Sequence, residues 1–369
     1  MNMKKIKKFL IVDFSKRLTL GDQLKIMFEI LFISWLLFTF LYIFVLIRGN
    51  SKHDTPSYAE VSQVQQESKI PQTQNSVQQE SEQASVQPSE ISESSPQQTE
   101  SGIFKETEQV HLKPDKLHKG ELILVNKQYP CYTDGEEAVS MMELKTDSYM
   151  VTDYNVSLNG SIIEDFNSWL DDFAEIYGES EVMVACGYRS SENQQELFDN
   201  EVDEVGEEEA EKWVARPGYS EHQTGYVIDF TLYNDSEQNS IKYDGTDIYE
   251  WINKNCYKYG FILRYPEGKE DITGYSYEPW HFRYTGNAAA YYISENGLTL
   301  EEYIDLVKQY SIENPLFIDA GGEKKWYVYY VPANEEGETE VTVPKNSRYQ
   351  ISGDNFSGFI VTADVDIKG

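Results

Sequence analysis

Pro217-Gly-Tyr-Ser-Glu-His-Gln-Thr-Gly-Tyr-Val-Ile-Asp229 is the stretch on which the reading of this chain turns. His222 lies in a turn between Gly218 and Gly225, and Asp229 falls in the run 226–232, which reads as a strand. A second stretch, Glu278-Pro-Trp280-His281, sets a carboxylate three residues before another imidazole. Zinc in a hydrolase takes three protein N or O ligands and keeps one position open. His222, Asp229 and His281 would supply the three. Glu278 would stand beside the attacking water and take its proton without ligating the metal. Spacing alone does not settle this. A histidine near a strand is commonly a satisfied polar residue, an aspartate at a strand end is commonly a cap, and His-x6-Asp is not a specific signature.

Outward from these blocks, helix and strand patterns mix. The spacing predicts strands over 121–125, 181–186 and 226–232, and helices over 161–177, 192–202, 246–259 and 298–310. Gly260 is the expected stop of the third helix. The elements do not alternate regularly, which favours α+β over a doubly wound sheet. The acidic run 207–211 reads as a solvated helix face. After Gly321-Gly322 the pattern turns to strands over 325–331, 340–343 and 358–364, a small β module with no sign of chemistry.

The chain has 369 residues, with 63 acidic and 31 basic side chains and a formal charge of -32, so a nucleic-acid partner is not expected. Its 3 cysteines cannot form a disulfide scaffold. Cys186 reads as a buried thiol, since no third histidine near the site is free to activate it. The charge is unevenly spread: residues 1–50 hold 8 Lys/Arg against 3 Asp/Glu. Residues 30–47, ILFISWLLFTFLYIFVLI, carry no charge over 18 positions, close to the length that spans a bilayer. Lys4, Lys5, Lys7, Lys8, Lys16, Arg17 and Lys25 precede the run. The positive-inside rule then puts the N-terminus in the cytoplasm and the rest of the chain outside. The run is too long, and too far from the N-terminus, for a cleaved signal peptide. Gln, Ser, Glu, Pro and Thr fill 36 of the 50 positions over 51–100, the composition of a disordered tether.

The literal residues go further than spacing. The run 217–229 resembles the S-x-H-x-x-G-x-x-x-D motif of zinc D-alanyl-D-alanine carboxypeptidases of the VanY type. Gly260-Phe-Ile-Leu-Arg-Tyr-Pro-Glu-Gly-Lys-Glu-Asp-Ile-Thr-Gly-Tyr-Ser-Tyr-Glu-Pro-Trp-His-Phe-Arg-Tyr284 resembles that family's second block nearly throughout. Leu122-Ile-Leu-Val-Asn-Lys127 is similar to its leading strand, and Gly187-Tyr-Arg-Ser190 with Gln194 to its substrate-binding stretch. The likeness covers about half the chain and implies the α+β fold shared with the hedgehog signalling domain. It implies His222, Asp229 and His281 as zinc ligands and Glu278 as general base. It makes Arg189 the grip on the substrate, with Gln194, Ser220 and Trp280 as further substrate-binding residues. A guanidinium fork suits a C-terminal carboxylate. For Trp280, core packing is the alternative. Arg264 and Arg283 read as structural.

The expectation is therefore an α+β hedgehog/DD-peptidase-like zinc enzyme on a membrane anchor, facing outward from the cell membrane. The segments expected are a cytoplasmic basic segment (1–29), a transmembrane helix (30–47), a disordered linker (48–113), the peptidase domain (114–312) and a small C-terminal β module (313–369). The resemblance implies removal of the terminal D-Ala from peptidoglycan stem peptides ending in D-Ala-D-Ala. The alternatives are a D,D-dipeptidase, a stem-peptide endopeptidase, or a non-catalytic wall-binding or sensing protein.

Overall fold

The computed structural model describes residues 103–178 and 181–365. The apolar run 30–47 and the tether composition over 51–100 lie outside the described residues. Among the described residues no helix is long and apolar enough to cross a membrane.

In chain order the first strands are β1 (Thr107–Leu112), β2 (Ala138–Ser140), β3 (Met150–Val151) and β4 (Ser157–Asn159), followed by helix α1 (Ile163–Tyr177). Next come β5 (Val182–Cys186), helices α2 (Ser191–Val205) and α3 (Glu207–Ala210), then β6 (Val227–Asn234) and β7 (Asn239–Lys242). Helix α4 (Glu250–Asn255), β8 (Phe261–Leu263), α5 (Glu270–Thr273) and β9 (His281–Tyr284) complete the part that carries the site. Helices α6 (Asn287–Asn296) and α7 (Leu300–Val307) lead into β10 (Leu316–Asp319), β11 (Lys325–Pro332), β12 (Thr339–Pro344), β13 (Tyr349–Gly353) and β14 (Gly358–Asp364). The fold is α+β.

The central sheet runs β3-β5-β6-β9-β8, with β7 also on β6. Only β3 and β5 pair in parallel within it. Alternation along β6 and β9 divides their side chains between two faces. Ile228, Phe230, Leu232, Phe282 and Tyr284 enter the main apolar cluster. There α1 supplies Phe166, Trp169, Leu170 and Phe173, all fully buried. The Trp169 ring lies 5.6 Å from Phe230, 5.1 Å from Phe261 and 5.1 Å from Phe282. Asp229, His281 and Arg283 fall on the opposite face. The register sets Cys186 opposite Asp229, and Asp229 opposite His281, so three neighbouring strands put these residues in one row.

Several elements differ from the sequence expectation. The stretch 121–125 is buried over 122–125 but joins no sheet. Its backbone groups are satisfied by other chain segments: Ser352 Oγ accepts from the Leu122 amide, the Asp354 carbonyl from the Leu124 amide, and Arg283 donates to the carbonyls of Glu121 and Ile123. The stretch expected to form one helix over 246–259 is α4 flanked by two 3-10 turns, ending at Gly260 in the left-handed region as expected. Any Cβ on Gly260 would meet the Tyr284 ring at 2.6 Å.

Strand β1 lies inside the stretch expected to be disordered linker, 48–113, which corrects the expectation for residues 107–112. It pairs antiparallel with β12 over six residues. Its sequence, TEQVHL, is mostly exposed and lacks an apolar signal. The C-terminal strands form the sheet β10-β11-β14-β13. Leu316, Ile318, Val328 and Ile360 from that sheet share one apolar cluster with Leu122, Leu124, Ile262 and the inner faces of α6 and α7. The β module thus packs on the peptidase part through a common core.

Candidate metal centre

Ser220 opens a 3-10 turn over Glu221–Thr224 that closes at Gly225, whose φ of 73° is left-handed. The turn buries Glu221, His222, Gln223 and Thr224 together. His222 Nδ1 donates to the Gly187 carbonyl at 2.7 Å, which directs Nε2 to Asp229 Oδ2 at 3.1 Å. On the other side, His281 Nδ1 lies 3.0 Å from Asp229 Oδ1 and 3.5 Å from Glu278 Oε2. The two imidazole rings are perpendicular, 5.2 Å between centroids. Asp229 thus stands between both imidazoles, and Glu278 beside the second. All four residues are nearly inaccessible.

The electrostatics are those of a self-paired acid–base cluster. Burial opposes the charge of Asp229, but the two imidazoles hold its carboxyl well below the usual range. Burial and the Arg189 guanidinium would lower His222, yet Asp229 and Cys186 push it up to about 10. His281 is likewise raised, against its burial, chiefly by Asp229. Glu278 is pushed up to about 8, first by burial, with Asp229 adding to the rise and His281, His222 and Arg189 opposing it. Its Oε1 is buried without a hydrogen-bond partner. A cation placed between these groups would displace the imidazole protons and draw the Glu278 carboxyl down.

A small cavity of about 30 Å³ opens on the cluster. Arg189, Gln194 and Ser220 line it with His222, Glu278 and His281, as the motif reading expected. Arg189 Nη1 donates to Gln194 Oε1 at 2.8 Å, and Gln194 Nε2 donates to the Ala215 carbonyl at 2.7 Å, so the guanidinium is held from behind. Its Nη2 stands 3.8 Å from Asp229 Oδ2 and 3.1 Å from Cys186 Sγ. Trp280 does not line the cavity. It is packed in the main apolar cluster with the Lys242 ammonium over its ring, which corrects the expectation of a substrate-binding role. Trp280 shares its parity with Phe282 and Tyr284, so the alternation that exposes His281 to the site turns Trp280 to the core.

Sequence reasoning missed Trp213, Tyr265 and Tyr275, which wall the cavity, and Glu221, which enters it from the motif turn. The Tyr265 ring lies against His281, 4.7 Å between centroids. Cys186 was read as a buried bystander, yet its Sγ lies 3.6 Å from His222 Nδ1 and groups with His222 and Asp229 as a possible metal-holding set. Burial would raise this thiol, but Arg189 and His222 lower it to about 7. The signal for Glu221 was the pair Arg264 and Arg283. Both are fully buried, and buried guanidiniums need a carboxylate partner.

Residues 155–287 match the family model described as VanY, D-alanyl-D-alanine carboxypeptidase. The chain is 32% identical over 252 residues to a D-alanyl-D-alanine carboxypeptidase of Enterococcus faecium, covering 67% of this chain and 76% of that protein. The chain belongs to the VanY family of D-alanyl-D-alanine carboxypeptidases. Among solved structures, the vancomycin-resistance D,D-dipeptidase VanXYg, in complex with a D-Ala-D-Ala phosphinate analogue, superposes with a TM-score of 0.63 at 31% identity. That match covers 70% of this chain and all of the other. A VanY mutant from a VanB-type resistance cassette, solved with Zn(II), is 36% identical over 50% of this chain and 98% of its own, with a TM-score of 0.40. All the VanY-family site residues named above fall within the matched stretch.

Proposed function

We propose that this VanY-family chain is a zinc D,D-carboxypeptidase, anchored in the membrane and acting outside the cell. It removes the terminal D-Ala from stem peptides ending in D-Ala-D-Ala. One observation carries the reading. His222 Nε2 and His281 Nδ1 converge on the Asp229 carboxylate, and both imidazoles line a cavity with Arg189 and Glu278, whose Oε1 is unpartnered. Two imidazoles and one carboxylate are a zinc hydrolase donor set, and the residues fit that ion. When bound, zinc supplies a Lewis acid that polarises the scissile carbonyl and acidifies water.

The chain's own residues do the rest. Arg189, braced by Gln194, presents Nη2 to the substrate's terminal carboxylate. Ser220 adds a hydroxyl to the same wall. Glu278 takes the proton of the attacking water at its carboxylate and returns it to the leaving amine. Tyr265, Tyr275 and Trp213 narrow the cavity and exclude bulk water.

The anchor and the outward location rest on the uncharged run 30–47 and the lysine-rich segment before it. External protease added to intact cells is expected to remove the catalytic part; full protection would contradict the location. For the activity, the zinc-loaded full chain in detergent is incubated with a muropeptide pentapeptide and the products are weighed by mass spectrometry. Loss of one alanine is expected, and chelation should abolish it. Release of dialanine would move the specificity to the D,D-dipeptidase reading, which the likeness to VanXYg over 70% of this chain favours. No cut in any stem peptide would support a binding protein instead.

A further inference from the structure

Glu221 lies next to a metal ligand in sequence, lines the cavity and is 2% exposed, yet the mechanism gives it no task. Its Oε1 accepts from Arg264 Nε at 3.0 Å and from Arg283 Nη1 at 2.8 Å. Its Oε2 is buried and has no hydrogen-bond partner. The same is true of His281 Nε2. These two atoms stand 3.7 Å apart. A buried donor and a buried acceptor that face each other just beyond hydrogen-bond distance, with no other partner, need a reason.

The other ring nitrogen supplies it. His281 Nδ1 is turned to Asp229 and Glu278, on the metal side, so a neutral ligating ring must carry its proton on Nε2. Metal-bound histidines commonly donate that second N–H to a carboxylate or a carbonyl, which fixes tautomer and ring angle. For His222 the acceptor is the Gly187 carbonyl. We infer that Glu221 is the positioning carboxylate of His281, accepting its Nε2–H and so holding Nδ1 toward the metal. The inference rests on the zinc reading above.

The two arginines fit this role. Arg264 is clamped by Glu301 on α7 through contacts of 2.9 and 2.6 Å. Arg283 donates to the carbonyls of Glu121 and Ile123, both at 2.9 Å. Each guanidinium is therefore fixed from outside the site, and together they pin Oε1 while leaving Oε2 to His281. If Glu221 were only a counter-ion for the arginines, any loss from this ion network would act on stability alone.

That difference sets the test. Zinc release from the full chain to a chromophoric chelator is compared for wild type, Glu221→Gln and Glu301→Gln. Glu221→Gln keeps the side-chain shape but is expected to lose zinc affinity by about 10–100-fold and to shift the visible spectrum of the cobalt-substituted protein. Glu301→Gln removes charge from the same network without touching His281. It is expected to lower the thermal midpoint and leave zinc affinity within about twofold. Wild-type zinc affinity in Glu221→Gln, or equal loss in both variants, would overturn the inference. A wild type that binds no zinc would overturn the zinc reading with it. Should Glu221→Gln not fold, nitrogen-15 NMR of the zinc-loaded wild type decides. A slowly exchanging His281 Nε2–H is expected, and an unprotonated Nε2 would contradict the proposal.

Discussion

Asp229 faces an imidazole on either side, and this sets how the metal-free site behaves. His222, raised to about 10, is protonated at neutral pH, and His281 is shifted in the same direction, chiefly by Asp229. Zinc must expel the His222 proton to reach the ring nitrogen. Zinc titration of the stripped protein in weak buffer is therefore expected to acidify the solution by at least one proton per metal. Affinity should fall by at least about tenfold per pH unit on acidification. A pH-independent affinity between 6 and 8 would contradict the pairing. The residues proposed as ligands and base stood out in the sequence because they occupy two contiguous blocks. Glu221 did not, since its role appears only when residues 43 and 62 positions further on close around it. Trp280 follows the core-packing alternative, because strand parity sets it with Phe282 and Tyr284.

Among the elements, strands whose partners are strands of similar texture were readable, as β5, β6, β11 and β14 were. Strand β1 was hidden because its polar sequence becomes a strand only against β12. Helix α6, NAAAYYISEN, carries too weak an apolar stripe to stand out. The stretch 121–125 misled in the opposite sense. Its apolar run suggested a strand, but side chains and one carbonyl from elsewhere took its backbone groups. Glu121, at the head of that stretch, gives the segment a testable pH signature. Burial, opposed by Arg283 and assisted by Asp165, pushes its carboxyl up to about 7 from 4.5. The folded state therefore favours the protonated form. Its contribution is full below about pH 4.5, declines as pH rises, and is lost above about 7, a change of about 3 kcal/mol at most. Glu121→Gln is expected to flatten that part of the stability curve in urea unfolding at pH 5 and pH 8. An unchanged slope would sink the assignment.

At the scale of the molecule, the β module and the peptidase part are joined by Asn355. This residue sits at φ 82° and is 3% exposed. Its Nδ2 donates to the carbonyls of Leu124 and Pro130, both at 2.8 Å, and its Oδ1 pairs with His118 Nδ1 at 2.9 Å. Asn355→Ala would leave buried carbonyls unpaired and put a Cβ residue without side-chain support in the left-handed region. A loss of about 2–3 kcal/mol is expected, in a single unfolding transition. A separate early transition of the module would contradict the shared core. The sequence showed a β module but not this seam, because its contacts join positions more than 200 residues apart.

In the proposed mechanism Glu278 moves the proton at a metal held by His222, Asp229 and His281. The most direct test compares wild type with Glu278→Gln, each loaded with one zinc per chain, on the same D-Ala-D-Ala pentapeptide. The account expects equal zinc content and a fall in kcat of about 10²–10⁴-fold. Undiminished turnover by Glu278→Gln, or undiminished turnover by the wild type after its zinc is stripped, would contradict it.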